Sequence, residues 1–490
     1  MNRFYTLLLL TFFAFTSVTA QKVDIEIKID NYMNDTLIVG NYYADRQLVK
    51  DTLIRKSNEK SFRLEADSLF ESGVYIAITI PDHQFSQFII PEDDQEFEIK
   101  MDYTNLSELK SSGSDENKLF YDYLRYLNKR RPENIRLQKE LMVADSLGMV
   151  ADSLGMDADL LGMDVAKINE QIDVLDLEIL EYQEKLVTDQ PTTITAALIA
   201  ANFQVDIPKI TEGTPAEIQA KRFRYYREHY FDNVNFNFPA IIRTPFLHDR
   251  IEYYMQKLNA PLPDSTIIAI DYILSKFTDN EEALKFYTSY FLNQYAQMKM
   301  VGQDAIYVHI VDKYYANGKA PWVKAETLAK IVDNANKLKP LLIGNTIPDV
   351  TTYEKDGMAI KIRDIEADYT VLVFWAPNCG HCKKAMPHVV KFNDEYLAKG
   401  VKTVSICTKG GEKFKGCWDS LEDKDMLRLH NTGDEFIRFQ RKMFVTKTPK
   451  IIVLDKNKEI IIKDIPADKL SEVIDEIIRL EDAEKEIIEE

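Results

Sequence analysis

The sequence predicts a multidomain protein with an N-terminal β-sandwich, a central all-α region carrying a coiled-coil-like arm, and a C-terminal α/β domain. Three observations predict it. At 490 residues the chain is longer than one hydrophobic core usually organises. Its hydrophobic pattern changes twice, from alternation to helical spacing and then to strands and helices in turn. All four cysteines, Cys379, Cys382, Cys407 and Cys417, fall in the last quarter. A fold stapled by disulfides throughout is thereby excluded, and thiol chemistry belongs to the last domain.

Lys and Arg number 61 against 79 Asp and Glu, a net charge of −18. That balance argues against nucleic acid and against anionic membrane surfaces as partners. Arg3, the apolar run Leu7 to Phe15 and the small-residue site Val18-Thr19-Ala20 read as a signal peptide over residues 1–20, with Gln21 as the new N-terminus. An uncleaved anchor is the alternative. No cysteine follows that site to take a lipid, and no later run reaches the roughly 18 apolar residues of a membrane span. Export to the periplasm is expected, where thiols must be handled actively.

Residues 21–112 form the β-sandwich. Val23, Ile25, Ile27 and Ile29 alternate with Asp24, Glu26 and Lys28, the mark of a half-buried strand. Similar runs follow at Asp35–Tyr43, Lys60–Leu64, Val74–Ile80, Phe85–Ile90 and Glu96–Lys100, separated by Asn58, Gly73, Pro81 and Pro91. This spacing predicts an antiparallel sandwich. His83 beside Pro81 and Asp82 reads as a solvated turn residue.

Residues 113–189 form a helical arm opened by the start signal Ser114-Asp115-Glu116-Asn117. It contains a seven-residue repeat beginning at Met142, Met149 and Met156. Val143, Leu147, Val150, Leu154 and Leu161 fall at coiled-coil-like spacing, which suits a homodimer through the arm. Gly148, Gly155 and Gly162 each cost about 1 kcal/mol against alanine, so the arm is weak there. Without His or Cys beside them, the methionines are no soft-metal site. Residues 190–340 form a helical domain, broken near Pro208, Gly213, Pro239, Pro261 and Gly318. Its many Tyr and Phe read as core, and His229, His248 and His309 are too scattered for a metal site. Arg243-Thr244-Pro245-Phe246-Leu247-His248 has polar groups that could line a cleft.

Residues 341–490 form the α/β domain, ending in an acidic tail. Strands are expected at Thr370–Trp375, Lys402–Cys407, Lys450–Leu454 and Glu459–Lys463, and helices at Lys383–Lys399, Asp434–Met443 and Ala467–Arg479. The apolar strand Val371–Trp375 runs into Cys379-Gly380-His381-Cys382 at a helix start. The first thiol sits where orphan N–H groups and the helix dipole favour an anion. That position lowers a thiol pKa and makes the thiolate, the nucleophilic form, available. The second lies one turn on, within reach of a disulfide. The same spacing is half a zinc site, but no second pair or metal-spaced histidine completes a tetrahedron.

Phe374-Trp375-Ala376-Pro377-Asn378-Cys379-Gly380-His381-Cys382, Pro387 five residues later, and Val445-Thr446-Lys447-Thr448-Pro449 before a strand carry a resemblance. Residues 345–480 resemble the thioredoxin-fold thiol–disulfide oxidoreductases of the TlpA/ResA type. The two domains before them look like uncharacterised companions of such redox domains. The resemblance implies that Cys379 is the nucleophile and Cys382 the buried resolving thiol. It implies a cis Thr448–Pro449 bond facing the dithiol and pairing with substrate backbone, and Trp375 packed beneath the dithiol. No cofactor is implied beyond the redox-active Cys379–Cys382 disulfide. His381 stands as in the Cys-Gly-His-Cys of protein disulfide isomerase. There it stabilises the thiolate and pushes the potential toward about −180 mV, against about −270 mV in thioredoxin.

There are departures from the family pattern. Asn378 replaces a second tryptophan. Val373 and Ala385 stand where family members carry carboxylates that accept the resolving thiol's proton, which leaves water or a lysine for that task. Cys407 should lie at the same sheet edge as the dithiol. With Cys417 it forms a second disulfide, serves as a relay, or remains one of two free thiols, and the sequence leaves these open.

The leading function is an exported reductase of protein disulfides. Its partners would be protein disulfide substrates and a membrane-side thiol electron donor or acceptor. A peroxidase is disfavoured, since Trp375–Cys379 lacks the Pro-x-x-x-Thr/Ser-x-x-Cys pattern. The alternative is a partner-binding scaffold with a redox-regulated appendage, because about 320 mature residues lie outside the redox domain.

Overall fold

The computed structural model describes residues 22–489 except 57–58, 155–164, 298–299 and 423–424. The expected signal peptide and the third copy of the repeat lie outside the described residues. The chain forms two compact units. One runs to Leu258 and includes Lys276–Ala283; the other comprises Asn259–Ser275 and the residues from Leu284 onward.

The first unit opens with eight strands: β1 Val23–Asp30, β2 Thr36–Tyr43, β3 Arg46–Ile54, β4 Ser61–Ala66, β5 Gly73–Thr79, β6 Phe85–Ile90, β7 Glu96–Asp102 and β8 Asn105–Ser112. They make two four-stranded sheets, ordered β4-β1-β7-β8 and β3-β2-β5-β6. The alternating residues of β1 bury Val23, Ile25, Ile27 and Ile29 against Leu37, Val39, Phe62 and Phe88. The expected all-antiparallel pairing is corrected at one place, because β1 pairs parallel with β7. Between them the chain passes through the other sheet, and it re-enters β7 running in the direction of β1. The strands not expected from sequence, β3 and β8, are both sheet edges. An edge strand needs little apolar alternation, and β3 is largely exposed.

Helix α1, Asp115–Leu154, starts where Ser114 Oγ accepts from the Asn117 N–H at 3.2 Å. Asn117 also reaches β6: its Oδ1 accepts from the Ile89 N–H and its Nδ2 donates to the Ile89 carbonyl, both at 2.7 Å. Helix α2, Val165–Asp189, packs Ile168, Ile172 and Leu175 on Leu137 and Ala144 of α1. Val143 of the expected seam is 46% exposed and lies off the row that α2 covers. The row carrying Leu137, Leu141 and Ala144 faces α2 instead, the small alanine allowing close approach. Side chains of Leu147, Val150, Leu154 and Leu161 lie outside the description. Shorter helices follow at α3 Ile194–Ala200, α4 Pro215–His229 and α5 Leu247–Tyr253. Helix α4 begins with a capping box between Thr214 and Glu217.

The second unit contains α6 Pro263–Ser275, the greater part of α7 Glu281–Gln297, α8 Asp304–Ile310 and α9 Ala325–Leu338. Here Asp271 takes hydrogen bonds from His309 and Tyr314 and pairs with Lys313. The sheet that follows has seven strands: β9 Thr351–Tyr353, β10 Ala359–Lys361, β11 Tyr369–Trp375, β12 Val401–Cys407, β13 His430–Gly433, β14 Lys450–Leu454 and β15 Ile460–Lys463. Their order is β10-β9-β13-β12-β11-β14-β15. The central β11 runs parallel to β12 and antiparallel to β14. All seven of its residues are buried, as a strand covered on both faces requires. Val371, Val373 and Trp375 pack with α10, Gly380–Tyr396, and α13, Leu470–Glu489. Leu372 and Phe374 pack on the other face with Phe439 and Met443.

Two short helices complete the unit, α11 Lys415–Asp419 and α12 Phe439–Met443. The helix expected over Asp434–Met443 thus starts five residues late. The buried Asp434 carboxylate instead accepts from the Phe436 and Arg438 backbone N–H groups and from the Arg438 guanidinium, which fixes a turn. Among the described residues no helix is long and apolar enough to cross a membrane.

Candidate active site

Strand β11 ends at Trp375, and a tight turn carries the chain to Cys379, whose N–H donates to the Ala376 carbonyl at 3.2 Å. Cys379 is the N-cap of α10. Its Sγ accepts from the Cys382 backbone N–H at 3.1 Å, and its carbonyl accepts from the Lys383 N–H at 3.1 Å. The helix start thus aims an N–H and the positive end of the dipole at this sulfur, an arrangement that stabilises a thiolate there. Cys379 is half-buried and Cys382 is 1% exposed, so only the first sulfur is open to another molecule. The two are joined as a disulfide, with their Cα atoms 5.1 Å apart.

The Thr448–Pro449 peptide is cis, and the Thr448 carbonyl oxygen lies 3.3 Å from Cys379 Sγ. In the dithiol form that thiol can donate to it. The structure therefore brings together Cys379, Cys382, Thr448 and Pro449, residues separated by 69 positions between Cys379 and Thr448. Trp375 is buried in the same apolar cluster as Cys382 and Met386. His381 is exposed on the first turn of α10, with no hydrogen bond or ion pair among the described residues. Pro387 lies inside α10.

Cys407 pairs in register with Trp375, and the next residue, Thr408, donates from both its N–H and its hydroxyl to the Trp375 carbonyl, at 2.8 and 2.9 Å. Cys407 and Cys417 form a second disulfide, both buried. Of the alternatives the sequence left open, the structure holds the disulfide. It ties the segment after β12 beside the end of the active-site strand.

A cleft of about 720 Å³ adjoins Cys382, with Trp375, Met386 and Val390 among its apolar lining. Sequence reasoning missed it, because its far wall comes from Ser420, Asp425, Met426 and Arg428, distant in the chain. Two lining carboxylates, Asp394 and Asp425, are both taken by Arg428, at 2.5 and 2.8 Å. Val373 is fully buried. The cleft therefore offers Cys382 no unpaired carboxylate among the described lining residues. Among the described residues no group of three His, Cys, Asp or Glu side chains could hold a metal ion.

A dithiol at a helix N-terminus, facing a cis-proline loop on a central mixed sheet, defines a thioredoxin-fold redox site. Residues 342–477 match the Redoxin family. The C-terminal part of the chain is therefore similar to Redoxin domains. Residues 180–339 match a domain of unknown function, DUF5106. Two curated relatives are named thiol-disulfide oxidoreductase ResA. That of Oceanobacillus iheyensis is 30% identical over 94 residues, 18% of this chain and 49% of that protein. That of Halalkalibacterium halodurans is 33% identical over 51 residues, 10% and 29%. The chain spans about half the length of the first and less of the second. A thioredoxin-like protein from Bacteroides caccae has a TM-score of 0.42 at 16% identity, covering 55% of this chain and 98% of that one. A domain of a possible thiol-disulfide isomerase from Cytophaga hutchinsonii has a TM-score of 0.27 at 28% identity, covering 30% and 97%.

Proposed function

We propose that the protein is an exported thiol–disulfide oxidoreductase that reduces disulfides of other proteins. The observation that carries the reading is Cys379 Sγ, half-exposed at the start of α10, with the Cys382 N–H at 3.1 Å and the Thr448 carbonyl at 3.3 Å. The Cys379 thiolate attacks one sulfur of a substrate disulfide. A mixed disulfide forms, and the other substrate sulfur leaves as a thiolate that takes a proton from water. The Cys382 thiolate then attacks Cys379 Sγ and releases the second substrate thiol. Two electrons pass to the substrate, and the Cys379–Cys382 disulfide remains. With Asp394 and Asp425 both held by Arg428, water in the adjoining cleft takes the Cys382 proton. Thr448 and Pro449 pair with substrate backbone, and a membrane-side thiol donor restores the dithiol. Export is supported by the Arg3, Leu7–Phe15 and Val18-Thr19-Ala20 pattern.

Cys382→Ala should accumulate mixed disulfides with proteins of the same compartment through Cys379, and Cys379→Ala should trap none and reduce nothing. Trapping that persists in Cys379→Ala would sink the assignment. A Cys379–Cys382 potential near that of a strong oxidant, about −120 mV, would reverse the direction. A purified protein whose N-terminus is Gln21 is the expected product of export.

A further inference from the structure

Lys450 is the first residue of β14, directly after Pro449, and is only 8% exposed. Its register partner on β11 is Phe374, so it lies on the sheet face of Leu372 and Ile452, opposite the face of α10 and Cys382. Among the described residues its ammonium has no hydrogen-bond or ion-pair partner. It borders a cavity of about 310 Å³, whose polar lining includes Lys447, Lys463, Asp304, Asp464, Tyr307 and Asn334.

The charges of this cavity do not cancel. Lys463 is buried and already paired with Asp304, and it also donates to the Leu341 carbonyl. Tyr307 donates to the Ile331 carbonyl at 3.2 Å. Asp464 is exposed and stands beyond ion-pair distance of Lys450. Burial holds the Lys450 pKa below the ordinary lysine value; Asp464 and Asp304 oppose this and Lys463 and Lys447 add to it. A buried ammonium without a partner is costly, and the cost is relieved by losing the proton or by gaining an anion. The space beside it is at the lower end of ligand-pocket volumes.

We propose that this cavity binds a small oxyanion, a carboxylate or phosphate group, with Lys450 as its central cation and Lys447 as its second. An anion beside Lys450 favours the protonated amine, so affinity falls as the pH rises through the Lys450 pKa. The site is separate from the dithiol, and its test reads binding alone, so the redox reading can fail without it.

The test is titration calorimetry on the full chain with inorganic phosphate and with succinate, each to about 10 mM, which covers weak millimolar binding. One anion at least should bind saturably at one site. Lys450→Met should weaken it by at least about tenfold while keeping the wild-type melting temperature or raising it, since a desolvated charge is removed. Lys447→Ala, at an exposed position, should weaken binding without touching the fold. Affinity should fall with rising pH in the wild type and not in Lys450→Met. Absence of saturable binding for both anions, or equal affinity in wild type and Lys450→Met, overturns the proposal.

Discussion

The Cys407–Cys417 disulfide closes a loop with a sequence separation of 10. Removing it with Cys407→Ala/Cys417→Ala returns that loop's freedom to the unfolded chain. The chain-entropy relation gives about 3 kcal/mol at 25 °C for a loop of this length. Both sulfurs are buried in the apolar cluster around α10, so lost packing adds to the effect. With a urea dependence of about 2 kcal/mol per molar, the midpoint should fall by about 1.5 M or more. The assay is built into the sequence. The three tryptophans are Trp322, Trp375 and Trp418, all in the second unit. Trp375 lies opposite Cys407, and Trp418 follows Cys417. Tryptophan fluorescence during urea unfolding therefore reports on the cross-linked region. Reduction of the wild type should reproduce most of the shift, and the double variant should respond to reductant only through Cys379–Cys382. A midpoint unchanged within about 0.2 M would refute the account, because an intact native cross-link cannot be removed without that entropy returning.

Asn117→Ala leaves the Ile89 N–H and carbonyl without their buried partner, and should cost about 2–4 kcal/mol in the first unit, read by far-UV circular dichroism on heating. A loss below about 0.5 kcal/mol would show that other groups or water satisfy Ile89. Burial raises the Asp434 pKa, but hydrogen bonds from Arg438 and from the Arg438 and Phe436 backbone outweigh it, and the carboxyl sits below its ordinary value. Its stabilisation is thus fully present above an unfolded pKa of about 3.9 and is lost as the pH falls through the lower folded value. The urea midpoint of the wild type should decline below about pH 4 more steeply than that of Asp434→Asn, and parallel declines would exclude the carboxylate as a contributor.

Much of this protein was legible because local signals and tertiary demands agreed. The alternation of Val23, Ile25, Ile27 and Ile29 fits a strand with one buried face, and the continuous apolar run Val371–Phe374 fits a strand buried on both. Cys379 and Cys382 announced themselves by spacing at a helix start, and Thr448-Pro449 through the family resemblance. The misses share a cause. Strands β8 and β13 are polar and owe their existence to pairing with β7 and β12 rather than to their own composition.

The sequence alone determined that a Cys-x-x-Cys pair begins a helix and that all four cysteines are confined to the last domain. These are properties of local order and composition. Only the tertiary structure decided that Cys407 and Cys417 are joined, that the Thr448 carbonyl lies against Cys379 Sγ, and that Lys450 is buried beside a cavity on the far sheet face. Each depends on parallel and antiparallel pairing around β11, which brings distant segments into register, and no periodicity within one segment specifies its neighbours across the sheet.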